Sequence, residues 1–286
     1  GLSSASTSAI VTSIPANNGV TLTLGNNNAT ATFTGSIQNP NGTGPFNLVK
    51  VGTGAEAFSG SNTYRGTTTV SAGTLLVDGV HSGAGNYIVN VSAATLGGIG
   101  TINLNSGSSV TVTAGKLAAG DNGPGVLNIN GPLNMSSVGT LAVELGGTSP
   151  GDGAGFYDQV NATNASFPIT TSFAHLSVSI LNGFTPQPSD IFYVLTRADS
   201  AFFPDQPFDA IFEGSTLKLS GGGIAKVTFH ANWTGSQSNS SLTGGNDMAL
   251  YDIVVPEPTS ITLLGLGAIA LIIAGRNHCQ RMARSC

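Results

Sequence analysis

Charge is scarce in this chain. Asp, Glu, Lys and Arg together make up only 8% of its 286 residues, where an ordinary globular chain carries about a quarter. Cysteine is nearly missing: Cys279 and Cys286 stand at the far C-terminal end. Residues 1–278 therefore hold no disulfide framework and must be held by packing and backbone pairing. Basic clusters are missing too. Residues 1–258 carry six Lys/Arg (Lys50, Arg65, Lys116, Arg197, Lys218, Lys226) against 14 acids, a net −8. Without clustered cations the nucleic-acid backbone finds no partner here. No helical period stands out before residue 259. The same pass reads no Gly-x-Ser-x-Gly elbow, no His-Glu-x-x-His and no Gly-x-x-x-x-Gly-Lys phosphate loop. Residues 1–14 show no leader pattern, which fits a removed leader or a fragment of a longer chain.

What is abundant is glycine, with 40 residues, amid much Ser, Thr and Asn. A hydrophobic content of 40% argues against disorder, because disordered chains are poor in Val, Ile, Leu and Phe. Apolar residues alternate with Thr, Ser or Asn at Val20, Leu22, Leu24; at Val110, Val112; at Leu141, Val143, Leu145; and at Leu176, Val178, Ile180. That period of two marks strands with one buried and one wet side. Leu96, Leu104 and Val112 are spaced by eight residues. Short strands at that spacing, punctuated by Gly, predict a solenoid with about three strands per coil over residues 20–145. The rival is a β-sandwich, which prefers longer strands and more core aromatics. Thr and Asn at stacked positions are expected to form ladders on the outside. Residues 146–254 hold the only Trp, Trp233, and most of the Phe. They read as a continuation or cap of the solenoid, or as a separate small β domain.

The last 32 residues are organised differently. Pro256-Glu257-Pro258 should be extended, since proline fixes φ and disfavours helix before it. Residues 261–275 are uncharged, and with Thr259 and Ser260 the run reaches 17 residues, enough for one short membrane span. Arg276, Arg281 and Arg284 follow, placing the C-terminus in the cytoplasm by the positive-inside rule. Cys279 is a candidate for palmitoylation or a plain free thiol.

This tail resembles the PEP-CTERM sorting domain of Gram-negative surface proteins, although its arginines are dispersed rather than clustered. The resemblance implies export, a transient stay in the inner membrane over 255–286, and processing by an exosortase-type enzyme. Its destination would then be the cell surface or extracellular matrix. Residues 58–75, with Asn62, Thr63, Tyr64, Gly66, Gly73, Thr74 and Leu75, resemble the autotransporter-associated β-strand repeat. That likeness implies a right-handed parallel β-helix, here followed by one C-terminal transmembrane α-helix instead of an outer-membrane barrel. On this reading Tyr64 covers a coil corner, Gly66 and Gly73 make turns, and residues 67–70 and 74–77 are strands.

Sites for chemistry are few. His81, His175 and His230 are isolated in sequence and read as surface histidines rather than a metal trio. Asp152 and Asp158 flank a Gly-rich loop that could hold Ca²⁺ but lacks a dense acid pattern. Eight Asn-x-Ser/Thr triplets (Asn28, Asn41, Asn90, Asn134, Asn161, Asn164, Asn232, Asn239) read as Asn ladders at solenoid turns. No catalytic residue, cofactor or metal is assigned. Two functions stay open. One is a non-enzymatic structural or adhesive surface protein, for which the PEP-CTERM likeness suggests exopolysaccharide and biofilm as the setting. The other is a carbohydrate-active β-helix lyase or hydrolase, which needs paired acids or acids beside cations. The acids Glu56, Asp78, Asp121 and Glu144 are sparse and the cations far apart, so no acid pair with a neighbouring cation is expected in one cleft.

Overall fold

Short stretches of alternating Thr/Ser/Asn and Val/Ile/Leu pair best with copies of themselves, and glycine lets the chain turn between them. The computed structural model describes residues 1–12, 19–39, 44–164, 169–181, 183–198, 203, 207–209, 211–220 and 222–256. Seven coils of three strands run through the described residues from Val20 to Arg197. Face one carries Val20–Leu24, Phe46–Lys50, Thr68–Val70, the first halves of Tyr87–Gly98 and Val110–Ala119, then Leu133–Met135 and Ile169–Thr170. Face two carries Ala31–Phe33, Ala55–Phe58, Gly73–Val77, the second halves of the two long strands, Gly139–Leu145 and His175–Ile180. Face three carries Ser36–Gln38, Ser61–Asn62, Val80–Ala84, Thr101–Leu104, Val126–Asn130, Gln159–Ala162 and Phe192–Arg197. The strand pairings between these coils are parallel, which selects the solenoid over the sandwich. Ahead of the first coil, Ile10–Thr12 runs parallel to Ser36–Gln38.

Register puts like on like. Leu75, Leu96, Leu117 and Leu141 share one inward column on face two, and none is exposed. Each such leucine contributes roughly 1.5–3 kcal/mol through burial. Asparagines tie one coil to the next: Asn28, Asn39 and Asn86 at turns and Asn47 on a face-one strand accept the backbone N–H groups of Thr53, Arg65, Ser109 and Thr67 in that order. Further Asn contacts lie on the strands of face three, not only at turns. Asn161 donates to Asn128 at 3.1 Å and accepts from Thr196 at 2.7 Å, while Asn130 donates to Asn103 at 3.1 Å.

Coils also stack through glycine. A Cβ on Gly79 would sit 2.2 Å from the carbonyl oxygen of Gly60, and one on Gly100 would sit 2.0 Å from that of Gly79. Backbone there cannot yield, so Gly79→Ala is expected to cost about 1–3 kcal/mol. Gly155→Ala, which meets nothing within 4 Å, should be near neutral. Chemical denaturation of both variants checks this; equal midpoints would contradict it.

After Phe192–Arg197 the pairing turns antiparallel. Asp247–Val254 lies between Phe192–Arg197 and Ile224–Ala231, and Thr216–Lys218 pairs outside the latter. Aromatics gather over this end: Tyr193 against Trp233 at 4.9 Å, and Phe203 against Phe229 at 5.4 Å. Gly1–Val254 pack as one compact unit. The expected membrane helix over 259–275 lies outside the described residues. Among those described, the helix is one 3₁₀ turn, Gln237–Asn239, and none is long and apolar enough to cross a membrane.

Candidate functional site

The repeat residues sit where coils two and three meet. Asn62 is buried and accepts from the Ile37 N–H at 2.9 Å, bridging the first two coils of face three where no ladder forms. Thr63 donates its N–H to the Ile37 carbonyl at 2.8 Å. Gly66 has no room for a side chain, since a Cβ would lie 2.3 Å from the Phe46 carbonyl oxygen. Gly73 turns with φ +62° and opens the strand carrying Thr74 and Leu75.

Tyr64 lies in the turn between Ser61–Asn62 and Thr68–Val70. It is fully buried, its hydroxyl 2.6 Å from Thr68 and its ring stacked on His81 at 4.2 Å. His81, expected on the surface, is likewise buried. Its Nε2 lies 2.9 Å from the Tyr64 carbonyl oxygen, so that nitrogen carries the proton. Nδ1 then accepts from the Tyr87 hydroxyl at 2.7 Å. Burial pushes the His81 pKa down to about 4. The inward direction of position 81 is set by pairing with Asn62 and Ile102, which sequence spacing alone did not reveal.

The suspected Ca²⁺ loop is something else. Asp152 is exposed, whereas Asp158 is buried, accepting the Gly125 N–H on Oδ1 and the Glu144 N–H on Oδ2, each at 2.8 Å. Burial raises its pKa to about 8, against the pull of those two donors toward the carboxylate. Among the described residues no group of three His, Cys, Asp or Glu can hold a metal. His175 lies 3.8 Å from Asp209 in an exposed pair, and His230 sits on the Ile224–Ala231 strand. Contrary to the sequence reading, Gly147, Ser149 and Gly151 do have the Gly-x-Ser-x-Gly spacing. Ser149 stands on a loop whose carbonyl accepts the Tyr157 N–H, with no helix after it, so no nucleophile elbow is built.

A trough of about 700 Å³ runs along the outer side of face two. Every coil contributes to it, through Thr32, Ala57, Leu76, Thr95, Ala118, Ala142 and Ser177 in turn. Six strand steps of ~4.8 Å give it a length of roughly 29 Å. Residues 120–123, with Ala154 and Leu181, line it as well, and Asp158 is part of its lining. Lys116, Asp121 and Glu144 all line this one trough. Two acids and a cation thus share one trough, with Lys116 paired opposite Thr140, four strand positions from Glu144, rather than beside the acids. Residues remote in sequence meet because the coil period returns the chain to the same face. Nearby, burial and then Asp121 and Asp152 raise the Asp78 pKa to about 6.

Of the tail residues, Pro256 is described and exposed, two positions beyond the last strand residue, Val254. Glu257, Pro258, Arg276, Arg281 and Arg284 lie outside the described residues.

Comparison with known proteins agrees with both local readings. Residues 48–77 match the passenger-associated-transport-repeat, and residues 254–277 match the PEP-CTERM protein-sorting motif. The chain thus combines a passenger-type solenoid repeat with a surface-sorting signal. It is also similar to the Adhesin BmaC autotransporter of Brucella suis biovar 1 (strain 1330), with 37% identity over 103 residues. That match covers 34% of this chain and 3% of the relative, so the chain spans a small fraction of the relative's length.

Proposed function

We propose that this protein is an exported cell-surface or extracellular-matrix protein with a structural or adhesive role. Its sorting runs through the PEP-CTERM tail, with a passage through the inner membrane and cleavage by an exosortase-type enzyme. The observation that carries the reading is the sorting motif over 254–277 joined to a repeat-bearing parallel solenoid. Residues 1–145 form the repeat-bearing solenoid and 146–254 continue and cap it, wound in the right-handed sense that parallel crossovers favour. Adhesion is named for the Brucella relative and is carried over here as part of the proposal. The trough with Lys116, Asp121 and Glu144 favours a second reading, a carbohydrate-active enzyme. Fold alone licenses neither.

Fractionation of the producing cell, with the mass of the mature C-terminus, tests the first reading. Surface material ending near residues 256–258 is the expected result; surface material ending at Cys286 would make the tail a permanent anchor. Turnover of a polysaccharide that disappears in Glu144→Gln would move the enzyme reading ahead.

A further inference from the structure

We propose that the trough on face two is the binding groove for a linear, uncharged glycan, one extended chain lying along the solenoid axis. Its length favours a polymer over a compact ligand. The lining is drawn from seven successive coils, so the trough is elongated along the solenoid. Its walls offer rows of hydroxyls, from Thr74 and Thr95 on one side and Ser177 and Ser179 further along. In-register parallel pairing spaces Thr74 and Thr95 at ~4.8 Å, and Ser177 and Ser179 stand two residues apart on one strand, together an array of donors and acceptors for sugar hydroxyls.

Charge narrows the class. Lys116 lines the same trough as Asp121 and Glu144, a mixed set of both signs in a unit that is acidic as a whole. An acidic polymer would meet like charge. A strongly cationic one would meet Lys116 and only two half-buried acids. Neutral hydroxyls, by contrast, gain from charged partners, since hydrogen bonds to ionised groups are stronger than those between neutral groups. An extended peptide is the competing polymer. Peptides commonly recruit a free strand edge for main-chain pairing, but the central strands of face two are already paired on both sides. What the trough exposes is side chains. The proposal takes its biological setting from the surface reading above, whereas binding in solution does not depend on it.

The test uses the full chain, purified in mild detergent, on an array of linear oligosaccharides in neutral, uronate-bearing and amine-bearing series. Lysine-rich peptides serve as the peptide arm. Retention of a neutral oligosaccharide, rising with chain length, is the expected result. Ala118→Trp and Ala142→Trp, which place a large ring in the trough from outward positions, should each weaken it at least tenfold. Val138→Trp, on an exposed turn, should leave it unchanged, and circular dichroism should report the same β content for all three. Binding confined to a charged series, binding to peptide alone, no binding at all, or binding untouched in both trough variants would each overturn the proposal. None of these outcomes bears on where the protein is found in the cell, so the two readings fail separately.

Discussion

Replacing Pro256 and Pro258 with alanine is expected to leave the chain in the inner membrane and abolish its shortening. In the proposed sorting route a processing enzyme reads this segment as extended backbone, which proline favours, and alanine at both positions would remove that constraint. The 15-residue apolar stretch is untouched, so insertion should survive. Neutralising Arg276, Arg281 and Arg284 should do the opposite. Those three are the only charges after residue 259, and Lys/Arg near a span set its orientation. The tail would then insert in either sense, and cut product would fall along with correct topology. Mass measurement combined with protease accessibility from each side separates the outcomes. Identical processing in the proline variant would sink the recognition argument.

The second large effect is on stability in acid. His81 titrates near 4 when folded and near 6.5 when unfolded, so its contribution to folding is complete above about pH 6.5 and lost as the pH falls through 4. A shift of that size corresponds to about 3 kcal/mol. Tyr64 and Tyr87, the titratable groups in contact with it, offer no counter-charge at these pH values. Asp78 and Asp158 work in the other direction. Their raised pKa values, about 6 and about 8, stabilise the fold at low pH and withdraw that help as the pH climbs through them. The wild-type profile is therefore flattened, and the difference from His81→Gln isolates the histidine. That variant should be weaker at pH 7 yet lose less between pH 6.5 and 4. Parallel profiles in urea would contradict the assignment.

Local pattern and long-range register were not equally legible in the sequence. Alternation at Val110 and Val112, and the eight-residue steps through Leu96 and Leu104, contain the three-strand coil because side-chain period and turn chemistry are local properties. The tail was readable for the same reason. His81 was misplaced because its direction depends on which residue of the next coil it faces. Asp158 looked like a loop ligand until the fold brought the Gly125 amide to it across 33 positions. The trough needed still more, since Ala57, Leu76, Ala118 and Ala142 are unremarkable singly and meaningful only once stacked. Antiparallel closure at Asp247–Val254 left no mark on the strand pattern at all.

That closing strand sets an order of events. A ribosome or translocation channel delivers the chain from its N-terminal end, and coils can stack as they emerge because each needs only the one before it. The Phe192–Arg197 strand is different: its outer partner is the last strand of the unit to be made. Until residue 254 is free, that edge stays open as a template for a neighbouring chain. Moments after it becomes free, the Pro-Glu-Pro segment follows. Sealing the solenoid and presenting the sorting signal are therefore consecutive steps on one clock, and a pause in synthesis near residue 246 would leave the longest-lived aggregation-prone species.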